Sequence, residues 1–259
     1  MQRVAFLFVL LHNSRNGERM KVVIDQQFQK YENFIRQIPR LIEDGVGTTV
    51  YDGRNKVVRL EYEGETMMVK CFKRMNIIQQ IVYTFFRKSK AERAFLFAGE
   101  FASRGINTPQ RIAFLEEKRC GLFLKGYFVS KEVEGTECHL LLREVKEFSP
   151  QLADAVMKQT LLMHSKGILH GDLNLSNFLC TEKSGNYYFN MIDINRSRFC
   201  DGYPSNKECL KNLVRTTHRR DLYEYLVASY ARQRGWDEKE TVQQAVALLD
   251  RFEHRRFKL

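Results

Sequence analysis

Between residues 45 and 72, short runs rich in Val, Thr, Tyr and Met are broken by turn-forming residues, a pattern that predicts strands at 48–51, 56–62 and 66–72. Asp52-Gly53 and Glu63-Gly64-Glu65 supply the turn chemistry, so the three strands read as an antiparallel meander. The periodicity then changes. Ile77, Ile78, Ile81, Val82, Phe85 and Phe86 recur at i, i+1, i+4 and i+5, the apolar stripe of a helix, and the basic run Arg87-Lys88-Ser89-Lys90 follows at once. A second helix over 90–103 gathers Ala91, Ala94, Phe95, Ala98, Phe101 and Ala102 on one side, with Gly105 as its stop. Two further strands, 110–116 and 122–130, flank a polar turn at 117–121.

After the polar link 131–136 the pattern becomes helical. A helix is predicted over 150–166, with Ser149 as N-cap and Pro150 in its first turn, and two more over 205–234, interrupted near Thr217, and 237–255. Strands with one or two helices followed by a mostly helical half define an α+β chain. The expected organisation is a strand-rich lobe at 20–130, a hinge at 131–136 and a helical lobe at 137–259. Ahead of these, the apolar run Val4 to Leu11 resembles the core of a signal peptide but falls far short of the roughly 20 residues of a spanning helix. Met20 opens a fresh segment, so residues 1–19 are expected to be a non-native or disordered extension, with translation starting at Met20.

Composition narrows the class. With 44% hydrophobic and 28% charged residues and only four prolines, the chain has the balance of a packed globular enzyme. Six cysteines without a C-x-x-C pair suggest neither a zinc cage nor a disulfide scaffold and fit a reducing cytoplasm. The formal charge of +11 favours an anionic partner.

The chemistry concentrates in His170-Gly171-Asp172-Leu173-Asn174-Leu175-Ser176-Asn177, which resembles the catalytic loop of kinases, H-x-D-L-x-x-x-N. Phosphoryl transfer needs a carboxylate beside the attacking hydroxyl and an oxygen ligand for the metal on the phosphates, and an Asp and an Asn five positions apart in one loop supply both. On that resemblance Asp172 is the base, Asn177 a magnesium ligand and His170 a hydrogen-bonding brace. Met191-Ile192-Asp193-Ile194-Asn195 ends a predicted strand and places Asp193 where kinases carry the Asp of D-F-G, the second metal ligand. Lys70, in Met67-Met68-Val69-Lys70-Cys71-Phe72, resembles the strand lysine that holds the nucleotide phosphates, with Lys73 in reserve. Its partner is Glu92 or Glu100. The phosphate-covering loop is either Gly45-Val46-Gly47-Thr48-Thr49-Val50 or the turn Asp52-Gly53-Arg54-Asn55, and Glu132 and Val133 of the hinge complete the ATP site.

The resemblance spans roughly 45–198 but departs from ordinary protein kinases. Gly171 replaces the arginine of H-R-D, Asp193-Ile194-Asn195 lacks the final glycine, and only a short polar stretch, 200–207, separates it from the next helix. A phosphorylation-ordered activation segment is not expected. His170 to Phe178, Ile192-Asp193 with a following basic residue, and Gly105-Ile106-Asn107-Thr108-Pro109 before a strand are instead similar to the lipopolysaccharide core kinases. That likeness implies a bilobal protein-kinase-like fold with a small antiparallel-sheet N-lobe. It also implies ATP and Mg2+ as cofactors and a Kdo or heptose hydroxyl of inner-core lipopolysaccharide as acceptor. The partner is then an anionic glycolipid rather than nucleic acid, and the location is the cytoplasmic face of the inner membrane. The 77–86 stripe with Arg87, Lys88 and Lys90 suits peripheral contact with an anionic membrane or, alternatively, covers the sheet. Lys207, Lys211, Arg215, Arg219, Arg220, Arg232 and Arg234 form either a lipid-phosphate surface or a solvated helix face. Two other readings stay open: a small atypical protein kinase of the RIO type, and a pseudokinase that only binds.

Overall fold

A computed structural model describes residues 8–13, 18–72 and 77–257. It divides into two compact units, residues 1–100 with 109–133, and residues 101–108 with 134–259.

The first unit is built on one antiparallel sheet. Its strands are β1 (Phe8–Asn13), β2 (Glu18–Ile24), β3 (Thr48–Asp52), β4 (Lys56–Tyr62), β5 (Glu65–Phe72), β6 (Arg111–Arg119) and β7 (Leu122–Lys131), and its helices α1 (Glu32–Glu43), α2 (Ile77–Phe85) and α3 (Lys90–Ser103). The order across the sheet is β1-β2-β6-β7-β5-β4-β3. The predicted meander forms with the expected turns, Val58 opposite Val69 and Leu60 opposite Met67. Side-chain alternation divides the core in two. Val22, Ile24, Ala113 and Leu115 point to one face, where they meet Ile35, Ile38 and Ile42 of α1 with Phe28 and Tyr31 from the 3-10 turn before it. Their neighbours Val23 and Phe114 point to the other face, against Ala91 and Phe95 of α3.

This sheet is larger than the five strands expected. The segment 18–43 supplies a central strand and a core helix, and β1 lies at the sheet edge, paired with β2 from Phe8↔Ile24 to Asn13↔Arg19. Part of the stretch 1–19, read from sequence as an extension, is thus strand; residues 1–7 and 14–17 lie outside the described residues.

In the second unit, β8 (Thr136–Glu137) leads into α4 (Cys138–Leu142) and the long α5 (Pro150–Ser165). Ser149 caps α5 as the sequence predicts, accepting from the Leu152 N–H at 3.2 Å. Next come β9 (Ile168–Leu169), the hairpin β10 (Phe178–Lys183) and β11 (Asn186–Met191), and β12 (Arg198–Phe199). Three helices follow: α6 (Asn206–Leu213), α7 (Arg220–Arg234) and α8 (Glu238–Phe257). A capping box between Ser205 and Glu208 starts α6. The predicted break near Thr217 is where its hydroxyl accepts from the Arg219 N–H at 3.1 Å, just ahead of α7. Residues 101–108, expected in the first lobe, belong to this unit. Phe101 packs edge-on to His170 and Phe199, and Arg104 donates to the carbonyls of Lys166 and Cys200 at 2.7 and 2.9 Å. Among the described residues no helix is long and apolar enough to cross a membrane.

Candidate active site

β9 delivers the chain into the loop 170–177, and β11 delivers it to Asp193; hydrogen bonds tie the two segments together. His170 is fully buried. Its Nε2–H donates to the Ile192 carbonyl at 3.0 Å, and its Nδ1 accepts from the Asp172 N–H at 3.2 Å. Burial pushes its pKa below the ordinary value, against the opposing effects of the Ile192 bond and the charges of Asp193 and Asp172, so the ring stays neutral with both nitrogens engaged. The ring thus joins the two segments by hydrogen bonds.

Asn177 is held from both sides. Its Nδ2 donates to the Asp172 carbonyl at 2.7 Å, while its own carbonyl accepts from the Ile192 N–H at 3.0 Å. With the amide nitrogen so fixed, Oδ1 is the atom left to face a ligand. Asp193, one residue past Ile192, takes the left-handed conformation (φ 53°, ψ 39°), and its carboxylate accepts from Asn195 Nδ2 at 2.8 Å. A carboxylate and an amide oxygen are hard donors suited to magnesium, an ion that binds through one or two carboxylates and keeps its remaining positions for phosphate and water. Among the described residues no group of three or more His, Cys, Asp or Glu side chains could hold a metal ion.

Position 171 has no room for a side chain: a Cβ there would lie 2.0 Å from the Arg196 carbonyl oxygen. This accounts for glycine in place of the arginine of H-R-D. Cations reach Asp172 from elsewhere, Arg196 Nη1 at 3.6 Å from Oδ2 and Arg215 Nη1 at 3.5 Å from Oδ1. Deeper in the unit, Asn212 Nδ2 donates to the His170 carbonyl at 2.7 Å and its Oδ1 accepts from His164 Nε2 at 3.0 Å. The Tyr230 hydroxyl completes the chain, donating to His164 Nδ1 at 2.8 Å. Burial lowers the His164 pKa to about 4. Asn212 and Arg215 have no local signal because they lie about forty residues beyond the loop they reach, and His164 sits on the preceding α5 with nothing in its spacing to mark the contact; only the basic residue after Asp193 is a signal.

The predicted residues of the first unit are placed as follows. Lys70 lies on β5 opposite Val57 and Phe128, in the middle of the sheet, with Nζ 5.8 Å from the Phe72 ring; Lys73 lies outside the described residues. Glu92 sits in the first turn of α3, where Ser89 Oγ accepts from its N–H at 3.0 Å. Its carboxylate meets Lys21 of β2 at 3.5 Å, a partner the sequence reading did not name. Gly45 and Gly47 serve the backbone. Gly45 (φ 78°) donates to the Ile42 carbonyl beyond the end of α1, and Gly47 (φ 92°) lies where a Cβ would meet the Arg59 carbonyl oxygen at 2.7 Å. They precede β3, whereas the turn joining β3 to β4 is 53–55, closed by the Gly53 N–H on the Asn55 carbonyl at 3.0 Å. Glu132 is engaged at its side chain by Arg59 Nε at 3.0 and 3.1 Å and at its N–H by the Thr66 carbonyl. The boundary between the units follows Val133, inside the predicted hinge.

The profile of the lipopolysaccharide kinase (Kdo/WaaP) family matches residues 44–248, most of the chain. Among solved structures, "WaaP in complex with acyl carrier protein" is similar in fold, with a TM-score of 0.58 over 92% of this chain and 98% of that one at 17% identity. No curated protein sequence matches. The fold is therefore protein-kinase-like, α+β, with an antiparallel-sheet unit and a mostly helical one, and the chain belongs to the lipopolysaccharide kinase (Kdo/WaaP) family, which makes it a phosphotransferase acting on a sugar hydroxyl.

Proposed function

We propose that this kinase transfers the γ-phosphoryl group of ATP to a hydroxyl of Kdo or heptose in inner-core lipopolysaccharide. One observation carries the reading of the site: a buried, neutral His170 joins the Asp172 N–H to the Ile192 carbonyl, so that Asp172, Asn177 and Asp193 share one hydrogen-bonded frame. Asp172 accepts the proton of the attacking hydroxyl. Asn177 Oδ1 and the Asp193 carboxylate hold Mg2+, which supplies neutralisation of phosphate charge. Lys70 holds the nucleotide phosphates, the turn 52–55 or the glycines 45 and 47 cover them, and the backbone of Glu132 and Val133 receives the base, the Glu132 carboxylate being occupied by Arg59.

The acceptor is an anionic lipid, and two features support work at a membrane surface. α2 meets the sheet through one side, where Thr84 Oγ1 accepts from the Phe123 N–H at 2.9 Å. Its other side exposes Ile81, Val82 and Phe85, with Phe86, Arg87 and Lys88 just beyond the helix. An apolar face bordered by cations suits the cytoplasmic face of the inner membrane. The basic residues of α7 support this less, since Arg220 and Arg232 are paired with Asp250 and Glu238.

The test is ATP consumption with Kdo-containing glycolipid, with protein, and with no acceptor. Stimulation by the glycolipid alone is expected, and stimulation by protein alone overturns the assignment. Sedimentation with vesicles of anionic phospholipid, wild type against Ile81→Glu/Phe85→Glu, tests the membrane contact; equal binding removes it.

A further inference from the structure

Both oxygens of the Asp172 carboxylate face a guanidinium, Arg196 at 3.6 Å and Arg215 at 3.5 Å. Accepting a proton requires no cation alongside, so the convergence of two calls for another partner. The pair is also positioned rather than incidental. The Arg196 backbone is seated against Gly171, where any side chain would displace it. Arg215 follows α6 and stacks over the Phe252 ring of α8 at 5.2 Å. Two segments about twenty residues apart, and a third that supplies the ring, thus aim positive charge at one carboxylate.

Neither contact is a well-made ion pair. Both separations exceed those of charge-assisted hydrogen bonds. The arginine side chains are 45% and 41% exposed, so solvent screens what attraction there is. Their forks therefore remain able to turn to another oxyanion, and a guanidinium matches a carboxylate or phosphate with two parallel hydrogen bonds.

We infer that Arg196 and Arg215 form an anion site for the acceptor, receiving a carboxylate or phosphate carried by the sugar close to the hydroxyl that is phosphorylated. This rests on the kinase reading of Asp172 given above. Since Asp172 touches the acceptor hydroxyl, cations against its two oxygens stand on the acceptor side, whereas the nucleotide phosphates are assigned to the metal ligands Asn177 and Asp193. Docking of the acidic sugar takes the guanidiniums from Asp172, orients the hydroxyl and leaves the carboxylate oxygens to meet it. The substrate class is an acidic or phosphorylated sugar; a neutral sugar lacks the group that engages the site.

The experiment compares steady-state transfer to three acceptors: Kdo-containing glycolipid, the same glycolipid with the Kdo carboxylate methyl-esterified, and the same glycolipid dephosphorylated. Each is measured with wild type, Arg196→Ala, Arg215→Ala and Arg215→Lys. In wild type, masking the recognised anion raises the acceptor KM roughly tenfold or more, because a site built for a polar group rejects an analogue lacking it. The arm that shows the rise identifies carboxylate or phosphate. Both alanine variants raise the KM for unmodified glycolipid by a similar factor and lose sensitivity to masking. Arg215→Lys recovers part of the affinity. A masking penalty equally large in the alanine variants, no penalty in either arm, or a rise in the KM for ATP in place of the acceptor KM overturns the inference while leaving the kinase reading intact. Absence of transfer by wild type to unmodified glycolipid ends that reading, and this one with it.

Discussion

Replacing His170 by Phe separates the bracing role of the ring from its shape. The substitution keeps an aromatic side chain against Phe101, whose ring meets His170 edge-on at 6.4 Å and 88°. It removes both ring nitrogens. The Ile192 carbonyl then loses its donor at 3.0 Å, and the Asp172 N–H its acceptor at 3.2 Å, beside a residue with no solvent exposure. An unsatisfied buried polar group costs about 1–3 kcal/mol, and the partly exposed Asp172 falls at the low end, so the sum is about 2–4 kcal/mol. In a chain of this length each kcal/mol lowers Tm by roughly 2–4 °C, which predicts a fall of roughly 5–15 °C by calorimetry. Catalysis suffers more than binding, because the two lost bonds set the backbone of Asp172, the proposed proton acceptor, and of the residue before Asp193. The expected kcat is about 10–100-fold lower, a positioning loss. A variant that melts within 2 °C of wild type and turns over normally, for which about 2 °C is less than one lost bond, refutes the reasoning.

Three further outcomes follow from the same geometry. Gly171→Ala drives a methyl group to 2.0 Å from the Arg196 carbonyl oxygen, so about 1–3 kcal/mol of stability and most of kcat are lost together in urea unfolding and transfer assays; unchanged unfolding midpoints count against that contact. His164, whose pKa is lowered to about 4 by burial, couples stability to acid. The unfolded chain binds its proton near the ordinary value of about 6.5, so its contribution is complete above that pH and is lost as pH falls towards the folded value, a change of about 3 kcal/mol across the window. His170 acts in the same direction. Urea unfolding that is flat between neutral pH and pH 4 in wild type, at about the folded value, contradicts both. Ser149→Ala removes the side-chain acceptor of the Leu152 N–H and lowers stability by about 1 kcal/mol, measured by thermal melting, without altering the acceptor KM.

Period and punctuation made much of this fold legible. The alternation in β4 and β5, the helix 90–103 and the cap at Ser149 follow from local preference, and the structure reproduces them. The segment 18–43 is instructive in the other direction. Ile35, Ile38 and Ile42 recur at helical spacing and Val22 to Ile24 is a strand-like run, yet both precede the stretch that bears motifs, and from sequence they fall in the strand-rich lobe without an assigned element. What reveals them is the sheet: Val22 and Ile24 need α1 on one face just as Val23 needs α3 on the other. In the site, the loop 170–177 and Asp193 are read from order and spacing along the chain. Arg215 and Asn212 are not, because Asn212 reaches the loop only after packing has chosen the rotation of α6, and Arg215 only through the turn that follows it. Glycines carry two signals at once. Gly45 and Gly47 have the look of a phosphate loop, but a left-handed turn after α1 and close approach to β4 demand them first.

The segment beyond Asp193 bears on how such a kinase is controlled. In protein kinases that are switched by phosphorylation, this region orders only when a phosphate meets an arginine. Here it is tied down within seven residues. Asn195 holds the Asp193 carboxylate, Arg198 and Phe199 pair with Leu169 and Ile168, and Cys200 donates to the Gly167 carbonyl at 2.9 Å. Arg104 closes the same knot by donating to Cys200 and Lys166 carbonyls, and Ser197 is buried. Ser197 itself is buried, so a phosphate added there has no room. The Asp193 carboxylate, the proposed metal ligand, is thus held by Asn195 in a segment fixed by backbone pairing. If the proposed anion site at Arg196 and Arg215 holds, arrival of an acceptor that presents an oxyanion is itself the gating event.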